Sequence, residues 1–214
     1  YSLYDDNNFS TFFITKGLYM FSVIELTLKI IQDLKEPIQY LPYGILMGFF
    51  STLIIWLIYF FLHKKVTHKK VFLCFLISTY LTVLLVQAFF SRQSGSRSGI
   101  ELYPFSILGV SVGENASFVE NILMFLPYGL LIPLILPSMR NPFYCIGMAF
   151  MGSVSLEIMQ LITGRGYCQI DDILSNTAGA FLGFMLTNIC FLHQKRIHQK
   201  VYPIKSLNGY QYAK

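Results

Sequence analysis

The chain has 214 residues, of which 54% are hydrophobic, 16% aromatic and only 13% charged, and its mean hydropathy of +0.55 is far from the balance of a soluble domain. The net charge of +5 comes from cations that border apolar segments, so membrane orientation accounts for them and no nucleic-acid partner is expected. Cys74, Cys145, Cys168 and Cys190 show no CxxC spacing, which gives no reason to read a disulfide or a zinc site.

Residues 1–36 read as an N-terminal extension. It opens on YSLYDDNNFS, with Asp5 and Asp6 and no cation. In the following GLYMFSVIELTLKIIQDL, Glu25, Lys29 and Asp33 recur every four residues opposite Phe21, Ile24, Leu28 and Ile31. That pattern predicts an amphipathic helix lying on a surface. Met20 could equally be a natural start, with residues 1–19 upstream of it.

Residues 37–193 read as the transmembrane domain. A hydrocarbon core of roughly 30 Å needs about 20 apolar residues per helical crossing. Stretches of that length run approximately over 41–62, 71–90, 118–136, 143–162 and 173–192. The first carries no charge, the second only Gln87 and hydroxyls, and the last three each carry Glu, Asn or Gln. The expected fold is all-α: a polytopic integral membrane helical bundle of about five transmembrane helices plus the N-terminal amphipathic helix. Residues 194–214 form a basic tail.

Lys64, Lys65, Lys69 and Lys70 between the first two stretches, and Lys195, Arg196 and Lys200 in the tail, place both segments in the cytoplasm by the positive-inside rule. The N-terminus is then outside. So are the segment from Ser91 to Ser117 and GRGYCQIDD, although Arg92, Arg97 and Arg165 count against this.

In that orientation Glu120 and Asn121 lie near the outer end of the third crossing. Glu157 and Gln160 lie near the outer end of the fourth, and Asp171, Asp172 and Asn176 open the fifth. Ser153, Glu157 and Gln160 share one helical face, as do Asp172, Asn176, Gly179 and Gly183 on the next helix. Polar groups at membrane depth usually face a bundle interior or a wet cavity, which points to a cavity opening outward. Asn121, Gln160 and Asn176 read equally as interhelical hydrogen-bond glue, and Asp171 or Asp172 as a helix cap. Arg165 has the geometry to capture an anionic head group, or to neutralise Glu157 or Asp171 as an ion pair. Glu157, Asp171 and Asp172 are candidate acid/base carboxylates, and together would suit a hard cation. No metal or cofactor is assigned. Pro127 and Gly129 are expected to interrupt and kink the third crossing, and Pro104 to turn a re-entrant or interfacial segment.

The segments ELYPF, NILMFLPYG, SLEIMQ and GRGYCQIDDILSNTAGAFLG stand in the order and at the approximate spacing typical of VanZ-like proteins, which this sequence resembles over about residues 41–192. Family members often carry a further Asp where Gln169 stands, a departure that weakens any site built on three loop carboxylates. The resemblance implies a multi-pass protein of the bacterial plasma membrane whose named relatives confer low-level teicoplanin resistance. The expected partners are a membrane lipid and a lipoglycopeptide or lipid-linked envelope precursor, bound through Asn121, Glu157, Gln160, Arg165, Asp172 and Asn176. The alternative is an intramembrane enzyme acting on a lipid phosphate or ester. His63, His68, His193 and His198 all border the cytoplasmic end, so no histidine-based catalysis is expected at the outer site.

Overall fold

The computed structural model describes residues 22–65, 67–95 and 99–201, and side chains up to residue 193. Residues 1–21 and the tail beyond Val201 lie outside the described residues, and with them most of the expected N-terminal extension.

Residues 22–33 form α1, followed by the short α2 (Lys35–Gln39) and by α3 (Leu41–Phe61). Next come α4 (His68–Leu85), which runs into a π-helical turn over Val86–Phe90, then α5 (Val112–Ile135), α6 (Pro142–Thr163) and α7 (Ile170–Val201). Five of these are long and apolar enough to cross a membrane, and the chain is a polytopic helical bundle. On α1, Ile24, Leu28 and Ile31 are exposed, so no described part of the protein covers its apolar stripe and a bilayer would receive it.

Helix ends follow local chemistry. Ser111 caps the start of α5, its hydroxyl accepting from the Glu114 amide at 3.1 Å. At α6, Asn141 caps Phe143 N at 2.9 Å, Pro142 occupies the first turn, and Gly164 ends the helix at φ 62°.

α7 is the central element, packed on α5 and α6, while α3 packs on α4 at the edge. The α5–α7 approach depends on glycines. A Cβ at Gly179 would stand 2.1 Å from the Ile122 carbonyl oxygen, and one at Gly183 would stand 2.1 Å from that of Leu126. Gly44 and Gly48 play the same part on α3, facing Thr79 and Phe75 of α4. Both are GxxxG pairs, which bring backbones together where lipid offers no hydrophobic drive.

The expected interruption at Pro127 does not occur: α5 runs continuously through Pro127 and Pro133. Each proline removes one backbone donor and pushes aside the carbonyls of the preceding turn. Side chains of neighbouring helices serve those carbonyls. Tyr80 donates to Met124 O at 2.9 Å, three residues before Pro127, and Thr187 donates to Leu130 O at 3.0 Å, three before Pro133. Such repair is how membrane helices keep prolines.

At the end of the bundle opposite Lys64, Lys65, Lys69 and Lys70, two loops meet in a parallel pairing of Ile100–Glu101 (β1) with Cys168–Gln169 (β2). Around Pro104 the chain turns over residues 104–110. The Asp171 carboxylate fixes that turn, accepting from the amides of Phe105 and Ile107, the latter at 3.2 Å.

Candidate functional site

α5, α6 and α7 deliver polar side chains to the same end of the bundle because their buried faces are continuous stripes. On α6 the buried positions are Cys145, Ala149, Ser153, Leu156, Glu157 and Gln160, apolar at the basic-loop end and polar toward the other. Asn176 donates to Ser153 Oγ at 2.9 Å across the α6–α7 seam, and Asn121 donates to Asp172 at 2.9 Å across the α5–α7 seam. Gln160 donates to the carbonyl of Ala88 at 2.7 Å.

These groups surround a cavity of about 990 Å³. Asn121, Glu157, Gln160, Arg165, Asp172 and Asn176 all line it, beside the apolar Val83, Leu84, Leu123 and Leu156. The amides thus serve both roles that their sequence left open, joining helices and facing a cavity. Glu157 is 3% exposed. Its Oε2 accepts from Gln169 N at 3.1 Å, and its charge interacts with that of Asp172.

Asp171 stands apart. It is 1% exposed, is absent from the cavity wall, and turns both oxygens to the 105–107 backbone. It is therefore a brace for a turn rather than an acid/base group in the cavity. Among the described residues no three His, Cys, Asp or Glu side chains are grouped as metal ligands.

Arg165 forms neither of the ion pairs its position suggested. Its Nη1 donates to Phe89 O at 2.9 Å and to Arg92 O at 3.0 Å, and its guanidinium carbon lies 4.6 Å from the centre of the Phe89 ring. The last carbonyls of a helix lack intrahelical donors and favour a nearby cation. Arg165 meets that need at the end of α4.

The cation that faces the carboxylates is Arg92, which sequence reasoning passed over. It donates to Gln160 Oε1 at 3.3 Å and acts electrostatically on both Glu157 and Asp172. Gly166 makes room for it, since a Cβ there would lie 2.8 Å from Arg92 Nη1 and 2.9 Å from Gln160 Oε1. The available sign in the sequence was only that Arg92 follows α4 at the polar end.

The segment before α3 also reaches the site. Asp33, Glu36, Pro37 and Tyr40 line the cavity. Gln87 donates to Glu36 at 3.1 Å, and the Asp33 and Glu120 carboxyls lie side by side. Outside the membrane-spanning segments, burial raises the pKa of the Cys168 thiol, and the Glu157 and Asp172 charges add to the effect.

The model of the VanZ/LLP1 family matches residues 49–191, a stretch that holds every cavity-lining side chain except those of residues 33–40. Protein VanZ of Enterococcus faecium is 29% identical over 134 residues, which cover 58% of this chain and 77% of that protein. No solved structure matches the chain.

Proposed function

Because the chain belongs to the VanZ/LLP1 family, we propose that it protects the bacterial plasma membrane against lipoglycopeptides such as teicoplanin by binding or modifying an acylated or lipid-linked ligand in the cavity. The positive-inside rule puts Lys64, Lys65, Lys69 and Lys70 in the cytoplasm, which opens the cavity to the outside and leaves the C-terminus inside. The observation that carries the reading is a single space in which buried polar groups and an apolar wall adjoin. That is the combination an amphiphile requires: the wall takes acyl chain, and the polar residues orient the head.

The test is antibiotic susceptibility of bacteria expressing wild type, Glu157→Gln or Asp172→Asn at matched membrane levels, with vancomycin as the non-acylated control. Selective loss of teicoplanin protection in the variants is the expected result. Undiminished protection in both would remove the cavity from the function.

A catalytic reading is favoured by one observation, the presence of both Glu157 and Asp172 in the wall of one cavity. Paired carboxylates suit general acid/base attack on a lipid phosphate or ester. Against it, Ser153 Oγ is buried and already accepts from Asn176, and the described histidines His63, His68 and His193 lie at the opposite end of the bundle. Mass spectrometry of lipids and drug recovered from expressing cells separates the readings: new masses mean an enzyme, unchanged masses a binder.

A further inference from the structure

The polar atoms left without partners in this cavity are mostly acceptors. Asn176 is 2% exposed, and although its amide nitrogen bonds Ser153, its Oδ1 has no partner. Gln87 Oε1 and Glu120 Oε1 are unpartnered as well, and both residues line the same space. Among the described residues, Arg165 Nε is the one buried donor there without a partner. A buried acceptor without a donor costs about 1–3 kcal/mol, a cost that a ligand donor would relieve.

Charge points the same way. Among the described residues, Asp33, Glu36, Glu114, Glu120, Glu157 and Asp172 line the cavity against Arg92 and Arg165. Lys29 offsets Asp33 from outside, at 2.8 Å, and Arg165 is committed to helix-end carbonyls. A phosphate head group would add acceptors and negative charge to a space already rich in both. Tyr40, Tyr80 and Tyr167 also line it, and phenol rings attract a desolvated ammonium.

Taking the amphiphile-binding reading above as its basis, we propose that the cavity receives the head group of an amine-bearing amphiphile, a cation with N–H donors. Its ammonium sits among Glu157, Asp172 and Glu120 and donates to Asn176 Oδ1, while its chain follows Leu84, Leu123 and Leu156.

The test uses the full chain in phosphatidylcholine nanodiscs, doped at equal low mole fraction with dodecylammonium, dodecyltrimethylammonium, dodecyl glucoside or dodecyl phosphate. Thermal unfolding is the readout. Dodecylammonium is expected to raise the midpoint by about 3 °C or more, with smaller shifts from the cation that lacks donors, the uncharged donor and the anion. The increment should shrink in Asn176→Leu and, should that variant fail to accumulate, in Glu120→Gln. An equal or larger shift from any of the other three probes overturns the amine assignment and leaves amphiphile binding standing. No shift from any probe overturns both.

Discussion

The Asp171 carboxylate and the Phe105 amide, 66 positions apart in the chain, are joined by a direct hydrogen bond. With the bond to Ile107 N, it ties the first turn of α7 to the turn that follows Pro104. Phe105 holds φ 62°, a left-handed conformation that a bulky residue keeps only when its surroundings enforce it.

Replacing Asp171 by Ala removes that enforcement and leaves the two amides without their acceptor. Each buried orphan costs about 1–3 kcal/mol, so Asp171→Ala should destabilise by roughly 2–4 kcal/mol. Limited proteolysis should then cut within 102–110. Glu157→Gln, which keeps an acceptor oxygen for Gln169 N, should resist proteolysis like wild type. Equal protease resistance of Asp171→Ala and wild type would dissolve the bracing role.

The prolines of α5 make a second expectation. Tyr80→Phe and Thr187→Val should each lower stability by about 1 kcal/mol, and independently, because they serve different prolines. Pro127→Ala removes the ring that pushes the preceding turn aside, which lets Met124 O regain the Tyr128 amide as its donor, so Tyr80→Phe should cost less in that background while Thr187→Val costs the same. A double-mutant cycle on thermal or denaturant unfolding in detergent reads this directly. Equal costs of Tyr80→Phe in both backgrounds would refute the repair argument.

The glycines separate by what stands over them. Gly179→Ala puts a methyl against the Ile122 backbone, where no side-chain rotation relieves the clash, and should cost about 3 kcal/mol or more. Gly147 and Gly152 have nothing within 4 Å of an added Cβ. Changing either to Ala should stabilise α6 by about 0.5–1 kcal/mol through the lost freedom of the unfolded chain. Unfolding midpoints of the three variants should therefore fall on both sides of wild type.

The bundle was legible because lipid demands long apolar segments. The stretch read as 41–62 is α3 at Leu41–Phe61, and 143–162 is α6 at Pro142–Thr163. Boundaries slipped where helix and hydrocarbon part company. α5 begins at Val112 rather than 118, since its first turn, marked by the Ser111 cap, is polar. α7 continues to Val201, past the apolar window and into the expected tail, because nothing in HQKRIHQK breaks a helix. Helical face and depth are enough to place Asn121, Glu157, Gln160, Asp172 and Asn176 in one layer, and all five line the cavity; Arg165, in the loop after α6, is marked by its charge and not by any helical register. What spacing does not encode is the choice of partner: whether Arg165 meets a carboxylate or a carbonyl, and whether Asp171 caps its own helix or another segment, depends on loops whose paths have no period.

Arg92 and Arg165 should accordingly part company under mutation. Arg165 holds the Phe89 and Arg92 carbonyls at the end of α4, so Arg165→Ala should lower the unfolding free energy by about 1–3 kcal/mol for the charged hydrogen bonds it removes. Any loss of teicoplanin protection should scale with that instability. Arg92 is exposed and contributes through its bond to Gln160 and its field at Glu157 and Asp172. Arg92→Ala should leave the unfolding free energy within about 0.5 kcal/mol of wild type, yet change teicoplanin protection at matched membrane levels. Measuring unfolding and susceptibility on both variants tests the division: a stable Arg165→Ala with lost protection, or an Arg92→Ala that protects like wild type, would reverse the assignment and make Arg165 the residue that faces the ligand.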